Sequence, residues 1–192
     1  MVDWDGTEIM RTPRLLLRTF QAADLPRYAE LNAQPQVAEM LGGPLSRAES
    51  DDIAEWAQQL WARERLGLLA VERLADGEFL GMCGLHRLRE RPGDIEVGWR
   101  LAYQHWGQGY ATEAATAWLD YGFDVLGLPR VISVTDEPNV RSLAVMRRLG
   151  LTFLETDQIT DNGETFDAVV YAITAAQWRA RRATTAVPQE TP

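Results

Sequence analysis

The chain has 192 residues, one domain's worth at ~100–200 residues per domain, with 46% hydrophobic and 24% charged residues; this ordinary globular balance excludes collagen-like, mucin-like and wholly disordered classes. Its 28 acidic residues against 19 basic ones leave a net charge of −9, which repels a phosphate backbone and sets nucleic acid aside as a partner. All 19 basic residues are Arg, so Schiff-base and P-loop lysine chemistry are both excluded.

The single cysteine, Cys83, has no partner for an internal disulfide, and neither it nor His86 and His105 falls in a zinc-ligand cluster, so no metal is expected. Residues 1–10 carry Asp3, Asp5 and Glu8 in place of a basic-then-apolar leader, and no run approaches the ~18 apolar residues of a membrane span. A cytoplasmic location away from membranes follows as the default expectation. Residues 1–182 are expected to form one domain and residues 183–192, a Thr/Ala/Pro/Gln stretch, a disordered tail. A homodimer is left open.

In chain order, Arg14–Arg18 predicts a strand, and Asp24-Leu25-Pro26 opens a helix with Leu25, Tyr28, Ala29 and Leu31 as its apolar positions. After the breaker Leu41-Gly42-Gly43-Pro44, Ser46 with Glu49 three residues on predicts a capping box. The helix it starts runs to about Arg65, with Ile53, Trp56, Ala57, Leu60 and Trp61 on one face. Leu66–Leu74 and Phe79–Leu88 flank Asp76-Gly77 and predict an antiparallel hairpin. Asp94–Leu101 alternates, with apolar odd positions and Glu, Gly and Arg at even ones, and predicts a strand with one polar or lined face. A helix from about Gly109 to Leu126, then the β-branched Val131–Thr135, gives a strand–helix–strand crossover whose strands are roughly parallel. Asn139–Leu149 predicts a short helix stopped at Gly150, and Leu151–Gln158 with Glu164–Ile173 predicts two last strands around Asp161-Asn162-Gly163.

The segment richest in chemistry is Gln104-His105-Trp106-Gly107-Gln108-Gly109-Tyr110-Ala111-Thr112-Glu113-Ala114, between a strand and a helix. Two glycines at a helix start expose unpaired N–H groups suited to a phosphate. A Walker loop needs a lysine, and a dinucleotide fingerprint needs Gly or Ala where Thr112 stands. The alternative is that the glycines merely turn the chain into the helix.

Gln104-x-x-Gly107-x-Gly109 after a strand holding Glu96, followed by a long helix, a strand, Asn139-x-x-Ser142 and Arg148-Leu149-Gly150, resembles the GNAT N-acetyltransferase superfamily. Thr12-Pro13-Arg14-Leu15-Leu16-Leu17-Arg18, Asp24, and Gly107 through Ala114 resemble the branch that includes the ribosomal-protein N-terminal acetyltransferases. The likeness runs from about Thr12 to Ile173. It implies a mixed α/β fold with a mostly antiparallel sheet, splayed at an acetyl-CoA cleft, and helices on both faces.

By the same resemblance, the pyrophosphate of acetyl-CoA lies on the backbone of Trp106, Gly107, Gln108, Gly109, Tyr110 and Ala111. Its pantetheine arm runs beside Trp99–Leu101, and Asn139 contacts that arm, a role compatible with a plain helix N-cap. Glu96 matches a family general base; otherwise it is a cleft charge that attracts a cationic acceptor. An N–H near Leu101, where the family's strand is bulged, is the expected oxyanion donor. Relatives that use a tyrosine acid place it where this chain has Met146, whereas Ser142 matches a serine of the ribosomal-protein branch that can donate to the departing sulfur or serve only as a capping-turn residue. The implied function is acetyl-CoA-dependent N-acetylation of a primary amine, on a protein N-terminus or a small molecule, by direct attack in a ternary complex. A non-catalytic acyl-CoA-binding module is the alternative, and a nucleotide-binding oxidoreductase ranks behind both.

Overall fold

The structure is a computed structural model describing residues 2–88, 91–161 and 164–185. Its centre is an eight-stranded sheet in the order β1-β2-β3-β4-β5-β6-β8-β7. The strands are β1 Glu8–Arg11, β2 Leu15–Arg18, β3 Gly67–Arg73, β4 Glu78–Arg87, β5 Ile95–Leu101, β6 Arg130–Asp136, β7 Thr152–Asp161 and β8 Glu164–Thr174. All neighbours pair antiparallel except β5 and β6, which are parallel. The mixed, mostly antiparallel fold and the crossover are as expected. Short, partly exposed β1 carries no alternation or turn signal and emerges only from its pairing with β2.

Helices α1 Asp24–Asn32, α2 Pro35–Ala38, α3 Arg47–Glu64, α4 Tyr110–Asp120, α5 Val140–Leu149 and α6 Ala175–Thr185 complete the fold. The period-two alternation of β3 and β4 builds two cores. Ala70 and Met82 face Phe20, Tyr28, Leu31, Ala54 and Ala57 of the α1/α3 layer. Leu69, Val71, Cys83, Leu85 and Val97 face Ala114, Trp118 and Leu119 of α4. The Ser46–Glu49 capping box starts α3 as its spacing predicts. Its buried side runs instead through Ser50, Ala54, Ala57 and Leu60, while Trp56 is 39% exposed. The small alanines let α3 lie close against β3, where a Cβ on Gly67 would come within 2.7 Å of the Ala57 carbonyl oxygen.

The long helix after the glycine loop is α4 continued by a π turn at Tyr121–Val125. Helix α6 carries one clear apolar anchor, Trp178, whose indole donates to Asp120 Oδ1 at 2.8 Å. It runs through Thr185, past the residue from which a disordered tail was expected. Residues 186–192 of that tail, and Asn162-Gly163 of the last turn, lie outside the described residues.

One feature of the topology sets the site. Strands β5 and β6 run parallel yet pair at a single position, Glu96 with Ile132. The loop after β5 and the start of α5 after β6 therefore open at the same end of the sheet, beside a gap, which is where open α/β sheets bind ligands.

Candidate active site

Gly107 and Gly109 adopt φ of 76° and 82°, left-handed values at which a side chain would cost about 1–2 kcal/mol each. Residues 107–109 are exposed, and a Cβ at Gly107 would meet nothing within 4 Å. Gly109 is the N-cap of α4 and no side chain caps the helix, so its first N–H groups stay available to an anion.

The loop is braced from the turn between β1 and β2. The Thr12 hydroxyl donates to Glu113 Oε1 at 2.6 Å, and the Arg14 N–H and Nε donate to the two oxygens of the same carboxylate at 2.9 and 2.6 Å. Arg14 Nη1 also donates to the Gln108 carbonyl at 3.0 Å, and its guanidinium lies 4.6 Å from the Tyr110 ring centroid. The two motifs Thr12-Pro13-Arg14 and Gly-Tyr-Ala-Thr-Glu-Ala therefore form one unit that sets the pitch of the loop. Burial opposes charge on Glu113, but its bonds from Thr12 and Arg14 hold the carboxyl below the ordinary range.

A carboxyl held below its unfolded value adds stability that is present above that value and lost as pH falls through the folded one. Glu113→Gln is thus expected to lower the thermal midpoint at pH 7 and to flatten its decline below about pH 5, followed by calorimetry across pH. A decline as steep as in the unaltered chain would remove Glu113 from the acid sensitivity.

Glu96 lies where β5 and β6 part and is 7% exposed. The Val134 N–H of β6 donates to its Oε1 at 2.9 Å, so this carboxylate stands in for strand backbone at the mouth of the gap. Its Oε2 lies 3.4 Å from His86 Nε2 on β4. On the same face, Arg100 Nη1 donates to Tyr28 Oη and Asn32 Oδ1, both at 3.1 Å, and Asn32 Nδ2 donates to Ser50 Oγ at 3.0 Å. This chain of bonds ties β5 to α1 and α3. Burial pushes the Tyr28 phenol up, partly offset by Arg100.

Across the gap, Asn139 caps α5 by accepting the Ser142 N–H at 3.1 Å. Ser142 is half-buried, and its hydroxyl makes no hydrogen bond among the described residues. Met146 is fully buried in the α4-side core and offers no acid. Half-buried Trp99 packs against the same core. The expected bulge near Leu101 is absent from the β4–β5 pairing, which stays in register from Ile95 to Leu101; the Leu101 carbonyl instead accepts the Trp106 indole N–H at 2.7 Å. Arg141 of α5 lies 5.0 Å over the Trp106 ring, linking the two sides of the gap.

The structure thus gathers Trp106–Ala111, Asn139 and Ser142 at one end of the sheet, with Glu96 on the strand leading to it. His86, Arg100 and Arg141 belong to this neighbourhood but were not expected. Alternation already put Glu96 and Arg100 on one face of β5, whereas nothing in the spacing signals His86, which meets Glu96 through strand register. An open hollow of about 520 Å³ beside α2, lined by residues such as Ala33, Pro35 and Pro44, holds none of these groups. Among the described residues no His, Cys, Asp and Glu cluster could hold a metal ion, and no helix is long and apolar enough to cross a membrane.

A parted parallel strand pair, a glycine loop entering a helix and a buried carboxylate on the first strand thus come together in this fold. The chain belongs to the GNAT acetyltransferase family, whose "Acetyltransferase (GNAT) domain" matches residues 14–152. It is 31% identical over 178 residues, covering 88% of this chain and 95% of the relative, to the Bacillus subtilis protein named "Putative ribosomal N-acetyltransferase YdaF". It is 33% identical over 162 residues to FsC-acetyl coenzyme A-N(2)-transacetylase of Aspergillus fumigatus, covering 78% of this chain and 68% of that one. The crystal structure of an acetyltransferase from Agrobacterium tumefaciens superposes with a TM-score of 0.75 at 32% identity, over 85% of this chain and 92% of that one. The protein is an N-acetyltransferase of this family, similar to the ribosomal-protein branch.

Proposed function

We propose that the protein transfers the acetyl group of acetyl-CoA to a primary amine, on a protein N-terminus or a small molecule, by direct attack in a ternary complex. The observation that carries this reading is the uncapped N-terminus of α4 behind left-handed Gly107 and Gly109, beside strands that pair only at Glu96. Backbone N–H groups from Trp106 to Ala111 suit the pyrophosphate, and the edge of β5 from Trp99 to Leu101 left unpaired by β6 suits the amide-bearing pantetheine arm. Asn139 retains its amide N–H groups for that arm while its oxygen caps α5.

Acceptor amines are mostly protonated at pH 7, with pKa ~8 for an α-amine and ~10.4 for a lysine-type amine, and only the neutral form attacks. Glu96 takes the proton, directly or through a water. The Ser142 hydroxyl serves the departing thiolate, whose pKa near ~8.5 lets it leave unaided in part. Ser142→Ala is therefore expected to lower kcat by about 10-fold or less, below the 10²–10⁴-fold of a principal acid–base group. Steady-state kinetics with unchanged CoA affinity would check this, and a loss of 10³-fold or more would make the hydroxyl indispensable.

The names of the relatives, "Putative ribosomal N-acetyltransferase YdaF" and an N(2)-transacetylase, favour nitrogen acceptors, and the net charge of −9 favours cationic ones. Incubation with acetyl-CoA and a mixed library of amines, alcohols, thiols and N-terminal peptides, read by mass spectrometry, tests the reading. N-acetyl products are expected, and exclusive O- or S-acetylation would overturn it.

A further inference from the structure

Strand β5 carries, besides Glu96, a cation whose partners set it apart from comparable groups. Among the described residues the arginines that are not exposed are Arg18, Arg73, Arg91 and Arg100. The first three hold carboxylates: Arg18 pairs with Asp24 at 2.5 Å and Glu72 at 2.8 Å, Arg73 with Asp76 at 2.7 Å, and Arg91 with Asp94 at 3.0 Å and Glu155 at 2.6 Å. Arg100 makes two bonds among the described residues, both from Nη1 and both to neutral oxygens, Tyr28 Oη and Asn32 Oδ1 at 3.1 Å. A half-buried guanidinium without an anion is costly to keep.

Its mounting is rigid. Tyr28, Asn32 and Ser50 are fully buried, and each is satisfied. Tyr28 Oη donates to Met82 Sδ at 3.1 Å while accepting from Arg100, Asn32 Nδ2 donates to Ser50 Oγ at 3.0 Å, and Ser50 Oγ donates to the Ser46 carbonyl at 2.9 Å. The guanidinium thus spends one nitrogen on a complete network. Its Nε and Nη2 make no hydrogen bond among the described residues. Both reach the surface, because the side-chain polar atoms buried there without a hydrogen bond are His105 Nε2 and Trp118 Nε1 alone. Nε and Nη2 form the edge that meets a carboxylate with two parallel bonds.

We propose that Arg100 is a specificity-determining residue that binds a carboxylate carried by the acceptor, so that the preferred substrates are amines that also bear an acid group. This rests on the reading of the protein as an amine acetyltransferase and deepens it. Glu96, Gly98 and Arg100 share one face of β5, and β6 pairs with β5 at Glu96 alone, so Gly98 and Arg100 border the gap. A negative and a positive side chain therefore stand about 13 Å apart along the strand, with only a glycine between them on that face. This order of charges is complementary to an acceptor with an ammonium at one end and a carboxylate at the other. The net charge of −9 draws in the ammonium and repels the acid, and a fixed guanidinium reverses that repulsion at one place. The carboxylate is that of a free amino acid or of an acidic side chain near a protein N-terminus.

The test compares acceptors that differ by one group: free amino acids against their α-amides in one arm, and N-terminal peptides with glutamate or glutamine at the second or third residue in the other. The unaltered chain is expected to prefer the acid by about 10–100-fold in kcat/KM in one of the arms, which identifies the source of the carboxylate. Arg100→Gln is expected to bring that ratio close to one, chiefly through KM, with CoA affinity kept by calorimetry. Arg100→Lys keeps the charge but loses the fork, so its ratio is expected to fall between the two, and it carries the test if Arg100→Gln does not fold. A role confined to bracing α1 would lower kcat/KM for acid and amide equally and leave the ratio unchanged. That result, or acetylation of amines with no preference for the acid in either arm, would overturn the assignment of Arg100 and leave the functional reading standing. Failure of the unaltered chain to acetylate any amine would overturn the functional reading and this proposal with it.

Discussion

Gly109→Glu is expected to lower CoA affinity by about 100-fold or more, the largest effect of any single change in the loop. The φ of 82° at Gly109 costs about 1–2 kcal/mol for any side-chain-bearing residue. Relief of that strain turns the loop N–H groups away from the ligand, and each charge-assisted hydrogen bond lost costs about 1.5–3 kcal/mol. The added carboxylate also repels a phosphate. Together these exceed about 3 kcal/mol, or two powers of ten. Space is not the obstacle, since a Cβ would meet only Arg14 Nη2, at 3.4 Å. Gly109→Ala is accordingly expected to keep part of the affinity, whereas equal affinity of all three proteins by calorimetry would place the pyrophosphate elsewhere.

Glu96→Gln is expected to lower kcat at pH 7 by about 10²–10⁴-fold, with activity recovering as rising pH supplies neutral amine. The substitution isolates the chemistry, because a glutamine oxygen still accepts the Val134 N–H that Glu96 accepts at 2.9 Å and so holds β5 to β6 where they part. Glu96→Ala would remove that tether as well, leave the Val134 N–H without its acceptor at a cost of about 1–3 kcal/mol, and lower stability together with rate. A Glu96→Gln enzyme with undiminished kcat/KM at pH 7 would take the carboxylate out of proton transfer and leave positioning of a neutral amine as the source of rate.

The legible parts of the fold were those where one local rule decides. The Ser46–Glu49 box, the Asp76-Gly77 hairpin and the stop at Gly150 each follow from backbone hydrogen bonds or a left-handed residue. The displaced face of α3 shows the limit of periodicity. Hydrophobicity alone drew a stripe through Trp56, but close approach to β3 favours the smaller Ala54 and Ala57 and buries Ser50 and Gln58, both of which find hydrogen bonds. Helix α6 rests on Trp178 and on Arg182 reaching Asp120 and Asp124, partners roughly sixty residues away that no local pattern announces.

The same division holds at the site. The glycine loop and the cap at Asn139 are local and could be read directly. The brace of Thr12 and Arg14 on Glu113 spans about a hundred residues; both segments carry the likeness to the family, but their physical link appears only when β2 lies beside α4. The pairing of His86 with Glu96 depends on strand register, which fixes faces only once the sheet is assembled.

The most direct test of acetyl transfer to nitrogen beside the parted strands is a single-turnover experiment with saturating acetyl-CoA and a primary amine, following thiol release and the acetylated product together. Stoichiometric thiol and N-acetyl product is the predicted result, with both slowed in parallel by Glu96→Gln and both strongly reduced at the same coenzyme concentration by Gly109→Glu. Tight binding of acetyl-CoA with no thiol released in the presence of any amine, or release at an equal rate from the Glu96→Gln protein, would contradict it.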